Sequence, residues 1–547
     1  MVIRPSTAAA PRSIDTRRGA ASPARRRIAR KSPRPRTGRV ALPLPEPPPK
    51  AAESAIDILP PELAAVRKLL PPDFDLPLDL LAAMVLPSVP LANATLTVWS
   101  YLLDHAFLKD FYDRHRGRGY EDILTFPTVV ALTRDALILH KGSALPAIER
   151  ADEQGEMPTC QEAYYAKLRR IRPELSEAFL GEAAARLLAL RPPSSRAQAL
   201  PASLDGLEVI NLDGKQIKGV DKRLGPARGR PGKVIGGKVL VAHVPRTGLA
   251  VAMAAERDGE ANDIRLMPRA VPLARARTVG PRLWVADRQF CDLDQPALLS
   301  EGGDHFLLRR NLKLSFTADP DRPARESVDA RGLRVVEQWG FIGAVSQGKR
   351  RRYVRQIHLI RPGGEDVYLV TDLLDEQRYP AADLLEAYLK RWEIERVFQK
   401  IVEVFHLEHL IGSSPEATIF QASFCLVLYD MLEVMRGFMA AGQEGLAADE
   451  VSMEKLFDDV TKELTALVVL FPSATIAGWF AGEWSREEVT RRLAQLLGGA
   501  WKERYRKAIN KKPRPKVKEA KCSGAHTSVQ KLLDAERKQR QESKGDP

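Results

Sequence analysis

The chain has little that would hold zinc or form a redox pair. Its 547 residues include four cysteines, Cys160, Cys291, Cys425 and Cys522. None sits at the Cys-x-x-Cys spacing of zinc sites and dithiol motifs. So few, so scattered, they exclude a disulfide framework and point to a reducing compartment. The first 50 residues lack the apolar run of a secretory signal, and their prolines argue against an amphipathic presequence helix. One uncharged stretch, Leu464 to Gly482, approaches membrane length, but Pro472 and two glycines interrupt it. It reads as buried helix and turn, with no membrane partner. The Gly-rich segment Gly225–Gly232 lacks the Gly-Lys-Ser/Thr ending of a phosphate-binding loop, and His406-Leu-Glu408-His409 lacks the order of a metalloprotease helix.

Positive charge is abundant and unevenly placed. The net charge is +14. Residues 1–50 hold 13 Lys or Arg against two acids, and residues 501–547 hold 15 against six. The ends therefore carry about +20 and the middle about −6, an arrangement suited to a polyanionic partner whose counterions the cations displace. The Arg- and Pro-rich start cannot bury enough surface to fold alone.

Periodicity divides the rest. From about 55 to 200, apolar residues recur at three and four, as in Pro61–Leu70, Leu96–Leu103 and Cys160–Leu190, and predict helices. From about 205 the period becomes that of strands: Val209–Leu212, Val239–Ala242 and Leu249–Met253 are short and turn-bounded. A helical segment is expected near Asp263–Ala276, weakened by Pro268 and Pro272. Residues 311–375 alternate at period two, which predicts a β-rich insertion. Ile419–Met439 predicts a long apolar helix, followed by further helices and a frayed basic tail.

Three acids stand out within this frame. Asp213 ends the apolar run Leu207–Leu212, and Asp287 ends Leu283–Ala286. At a strand end, a carboxylate points into open space at the sheet edge. Glu395 lies on a predicted helix. At about 100° per residue, Tyr388, Arg391, Glu395 and position 402 share one stripe. A neighbouring stripe, Ile394, Val397, Phe398, Ile401 and Phe405, forms a core face. Three carboxylates can hold a pair of hard cations through oxygen.

Here the chain resembles the DDE transposases of bacterial insertion sequences, of the insertion-sequence-four type. That family embeds its third acid in Tyr-x2-Arg-x3-Glu-x6-Lys. Tyr388, Arg391 and Glu395 match, while Val402 replaces the Lys. The segment Tyr165–Phe179, Asp213-Gly-Lys215, Ala286-Asp-Arg288 and Thr371-Asp-Leu-Leu follow in the family's order, so the resemblance covers roughly residues 160 to 435. It implies an α/β chain with a ribonuclease-H-like catalytic core at 205–310 and 376–440. A β-rich insertion at 311–375 would interrupt that core. A disordered basic tail (1–54) and a helical DNA-binding domain (55–200) would precede it, and a helical region (441–505) and a basic tail (506–547) would follow. It implies catalysis and metal binding by Asp213, Asp287 and Glu395, with two Mg²⁺ ions or Mn²⁺ as a substitute. DNA would be held by Tyr388, Arg391, Lys215, Arg288 and Lys400. The implied partners are double-stranded DNA, as element ends and target, and further copies of the chain in a homodimer or higher homo-oligomer. The implied setting is the bacterial cytoplasm, at the nucleoid. Family members stack an extruded base on an aromatic of the insertion; for Trp339 a core or cross-strand role is expected instead.

Overall fold

The computed structural model describes residues 78–119, 121, 123–192, 199–218, 234–329, 331–409, 411–507 and 527–545. The basic tail at 1–54, the helix expected at 61–70, Lys233 and most of its Gly-rich loop, and residues 508–526 lie outside the described residues.

The described residues begin with seven α-helices: α1 (Leu78–Val85), α2 (Pro90–Leu102), α3 (His105–His115), α4 (Phe126–Ile138), α5 (Ala144–Glu153), α6 (Gln161–Leu168) and α7 (Pro173–Leu190). Local chemistry starts several of them. Asp104 accepts from the Phe107 N–H to cap α3, and Thr125 accepts from the Thr128 N–H to cap α4, where Pro occupies the first turn.

The core sheet follows. Strands β1 (Glu208–Lys218), β2 (Val234–Val244) and β3 (Leu249–Glu256) form an antiparallel meander. After α8 (Met267–Arg275), β4 (Arg282–Ala286) lies parallel to β1. After α9 (Gln295–Leu299), β5 (His305–Arg309) lies parallel to β4. The order β3-β2-β1-β4-β5, three antiparallel strands then two parallel ones, is the ribonuclease-H-like arrangement.

The strand-rich segment at 311–375 forms β6 (Phe316–Ala318), β7 (Arg325–Val328), β8 (Arg334–Ile342), β9 (Arg352–Leu359) and β10 (Val367–Thr371). It extends the core sheet: β10 pairs antiparallel with β5, β9 with β10, and β8 with β9. Trp339 lies inside it, 1% exposed, its indole N–H donating to the Leu374 carbonyl. The expected core role therefore fits its position.

Helices cover both faces of the sheet. Val209, Leu283, Leu307 and Leu369 face α10 (Ala381–Lys390), while Ile210, Leu212, Trp284 and Leu308 join the larger core on the other side. Next come α11 (Trp392–Glu403) and α12 (Pro415–Ala441), the latter capped by Ser414. By length and composition α12 could cross a membrane, but its apolar window is fully covered by the protein itself. It is apolar over most of its surface because α7, α11, β2, β3 and a later helix surround it.

Next come α13 (Met453–Leu470), α14 (Ser473–Trp479) and α15 (Arg486–Gly499). They pack against the N-terminal ones: the Glu463 carboxylate on α13 accepts the Leu91 and Ala92 N–H groups that start α2. One expectation fails here. Residues 527–545 are not a frayed tail. Thr527–Ser528 (β11) pairs parallel with β2, and α16 (Val529–Gly545) packs on β2, burying Val529 and Leu532. Charge dominated the composition of this segment and hid its short apolar anchor.

Candidate active site

Asp213 is not at the end of its strand. β1 runs on to Lys218 because β2 continues beside it, pairing Asp213 with Val241 and Lys215 with Val239. The neighbour on the other side, β4, stops earlier. Its last register pair with β1 is Leu212 with Ala286. Asp213 and Asp287 are thus the next residues on adjacent parallel strands, and Asp213 emerges where the sheet loses a strand. The open space comes from the end of β4 rather than of β1.

Side chains alternate along β1. Asp213 and Lys215 take the side facing α10 and α11, where the Lys215 ammonium lies 5.8 Å from the Phe398 ring centre. Gly214 takes the opposite side. A Cβ there would overlap the carboxyl group of Asp263. Asp263 is 4% exposed, is paired with Lys238 at 2.5 Å, and accepts from the Gln289 amide at 2.5 Å. Gln289, itself exposed, is two residues beyond Asp287, so this trio, with Asp263 and Lys238 buried, ties the loop after β4 to β2 beneath Asp213. Sequence reasoning missed it, because its members lie far apart in the chain and no local pattern marks them.

The helix carrying Glu395 is interrupted at Arg391, the residue between α10 and α11. The core face beyond the interruption is intact. Ile394, Val397, Phe398, Ile401 and Phe405 are all buried, as the periodicity requires. Arg391, 6% exposed, reaches two of the acids: its Nη1 lies 3.4 Å from Asp213 Oδ2 and its Nη2 3.2 Å from Glu395 Oε1. The Tyr388 hydroxyl donates to Asp287 Oδ1 at 3.4 Å. Tyr388, Arg391, Glu395, Asp213 and Asp287 therefore converge.

The electrostatics follow from burial. Burial pushes Asp213 up to about 6, against the pull of Arg391 and of the Gly214 N–H; Glu395 and Asp263 add to the rise. Burial works against the charged guanidinium of Arg391, yet Tyr388, Asp213, Asp287 and Glu395 together hold its pKa above the usual value. Burial also raises the Tyr388 hydroxyl to about 12, so it remains a donor. The site holds more negative charge than one guanidinium offsets. Its donors are all carboxylate oxygens, a set that suits a hard divalent cation. Asp213, Asp287 and Glu395 could hold one. Among the described residues, however, no three acidic, His or Cys side chains stand close enough to grip an ion as placed. Arg391 lies among the three acids.

This gives a signed prediction. The folded protein holds the Asp213 proton more tightly than the unfolded chain, whose value is near 3.8. The resulting stabilisation is full below that value and is lost as pH rises through about 6, a change of about 3 kcal/mol. In chelator, denaturant unfolding of Asp213→Asn and of the native chain should diverge between pH 4 and 7 in favour of the Asn variant. Parallel curves would show that Asp213 is not a buried carboxylate.

The remaining sequence-predicted residues lie at varying distance. Arg288 is exposed beside Glu365 and lines an open groove with Arg309, Arg310 and Lys313. Arg309 also acts on the Tyr388 hydroxyl, so this basic groove adjoins the acids. Those three cations were not singled out from sequence; they sit on and just beyond β5, and only the β4–β5 pairing brings them beside Arg288. Lys400 does not join the acids. It pairs with Glu454 of α13, as its position about 140° around the helix from Glu395 requires. Val402, where the signature has Lys, is half-buried against the core.

The strand order defines a core of the ribonuclease-H-like class, with Asp213 and Asp287 beside its parted strands. Residues 205–431 match the family described as "Transposase DDE domain". That match supports a DDE-type enzyme. No curated protein matches the chain. Among solved structures, it is similar to a piggyBac transposase synaptic complex with hairpin DNA, at 10% identity and a TM-score of 0.35, over 74% of this chain and 85% of that one.

Proposed function

We propose that the protein is the transposase of a bacterial insertion sequence of the insertion-sequence-four type. It binds the inverted-repeat ends of its own element, cuts a DNA strand there and joins the freed 3′-hydroxyl to target DNA. The observation that carries this reading is the convergence of five residues from two strands and one interrupted helix: Arg391 bridges Asp213 and Glu395 while Tyr388 holds Asp287.

Asp213, Asp287 and Glu395 would hold divalent cations, Mg²⁺ with Mn²⁺ as substitute. Bound there, a metal pair supplies activation of the attacking oxygen and stabilisation of the leaving one. Arg391 keeps the acids apart and charge-compensated before loading, and its fork then suits a phosphate oxygen of the DNA. Tyr388, with its proton retained, donates a single hydrogen bond. Arg288, Arg309, Arg310 and Lys313 hold the strand by its phosphates, which fixes register without reading bases. Lys215, on the Asp213 face, adds a cation to the same path. The helical N-terminal region binds the element ends, and cleavage takes place in a homodimer or higher homo-oligomer.

The test uses the full chain and a duplex carrying the inverted repeats that flank its gene, with Mg²⁺, Mn²⁺ or chelator. Metal-dependent nicking at the repeat boundary, followed by joined product with a target plasmid, is the expected result. Binding without nicking in either metal would make the protein a decayed DNA-binding relative. Nicking without joining would make it a nuclease of the same fold.

A further inference from the structure

A second charged pocket lies on the same sheet face as Asp213, across α11 from Glu395. Its floor is His243 of β2, whose register partner on β1 is Asn211, two residues before Asp213. Arg396 and Lys400 of α11, Arg436 of α12 and Lys507 beyond α15 supply four cations, against the carboxylates of Glu393, Glu433 and Asp449.

Most of these charges are matched. Arg396 pairs with Glu393 at 2.6 Å, Lys400 pairs with Glu454, and Nη1 of Arg436 pairs with Glu433. Arg436 is matched on one side alone. Its side chain is 6% exposed, and its Nε and Nη2 are buried with no hydrogen-bond partner. Those two nitrogens form the side-on edge of the guanidinium, the edge that takes an oxyanion in bidentate fashion. A buried charged donor pair with no acceptor is rare in a folded protein and calls for an occupant. The cations also press on one another. Burial, then Lys507 together with Arg436 and Arg396, lowers the Lys400 ammonium pKa; burial, then Arg436, lowers that of Lys507. An anion among them would relieve both.

We propose that this pocket is an oxyanion site for one phosphate group, gripped side-on by Arg436 and contacted by Lys507. Lys400, the residue expected to touch DNA, belongs to this site rather than to the acids. The phosphate is either a backbone group of bound duplex or a small free phosphate; the chemistry is the same, and the source is separable by experiment.

The probe is inorganic phosphate, titrated into the full chain without DNA while the thermal midpoint is followed, with chloride at matched ionic strength as control. A saturable rise specific to phosphate is expected. Lys507→Gln should keep the midpoint in chloride and need about tenfold more phosphate for the same rise. Arg436→Lys, which keeps charge but loses the fork, should abolish the rise; if it does not fold, Lys507→Gln decides alone. An equal rise in chloride, or an unchanged phosphate response in Lys507→Gln, would overturn the site. A second arm identifies the source. If duplex fills the pocket, Lys507→Gln lowers the slope of log affinity against log salt by about one. If a free phosphate fills it, that slope is unchanged while the phosphate response is still lost. Only this second arm rests on the transposition reading, so failure of that reading leaves the phosphate titration intact.

Discussion

Asp213→Asn, Asp287→Asn and Glu395→Gln should each reduce strand nicking by on the order of 10³-fold or more while leaving binding to element-end duplex within a few-fold of the native chain. The asymmetry follows from where the charges lie. Each change removes one carboxylate from a set that faces Arg391, so the cation-holding oxygens are lost. The cations that line the groove beside Tyr388, namely Arg288, Arg309, Arg310 and Lys313, are untouched. Nonspecific duplex affinity comes from such cations and from the basic chain ends. Removing a carboxylate also removes repulsion toward DNA phosphate, so binding can rise slightly. Glu395→Gln keeps a hydrogen-bonding oxygen toward Arg391 and is the cleanest of the three. The measurement is nicking rate and gel-shift affinity on one duplex, with circular dichroism to confirm the fold. A variant that binds tenfold worse with its fold intact would place that acid in recognition rather than chemistry. A variant that nicks normally would remove it from the site.

Why the acids were legible, and the site around them was not, is a matter of range. Asp213 and Asp287 each follow a run of apolar residues, a local signal of strand burial that stops at a carboxylate. Glu395 was placed by a stripe within one helical stretch, and the burial of Ile394, Val397, Phe398 and Ile401 agrees with it. The break at Arg391 left that face legible because Ile394, Val397, Phe398 and Ile401 all lie beyond it, within the single helix α11. The interruption of the core by a period-two segment was also readable, but not its continuity with the core sheet. That continuity depends on β10 pairing with β5, a contact across some sixty residues with no local mark. Asp213 read as a strand end because the residues after it, Gly-Lys-Gln, carry no strand signal of their own. They extend only because β2 pairs with them through Lys238. The same long-range logic hides Asp263, whose partners Lys238 and Gln289 lie about 25 residues away on either side.

That hidden trio yields the second large effect. Gly214→Ala should destabilise the fold by about 1–3 kcal/mol, because the new methyl overlaps the Asp263 carboxyl group and a packed interior yields poorly to added volume. Asp263 cannot swing aside cheaply, being buried and held by Lys238 and Gln289 at once. Asp263→Ala should cost about 3–5 kcal/mol for a different reason: it leaves the Lys238 ammonium, 8% exposed, without its counter-charge. The Ala261 carbonyl still accepts from Lys238 but carries no full charge. The double variant distinguishes the two mechanisms. With the carboxyl group gone, the methyl at 214 has room, so the pair should cost about what Asp263→Ala costs alone. The coupling is then about 1–3 kcal/mol. Denaturant unfolding of the four proteins measures it. Activity should follow the geometry as well. Asp263→Asn keeps an acceptor for the Gln289 amide, so it should retain more nicking than Asp263→Ala at equal folded fraction, since Gln289 fixes the loop that carries Asp287. Additive costs would mean that Asp263 moves freely away from Gly214, and equal nicking by the Asn and Ala variants would mean that the Gln289 tie does not position Asp287.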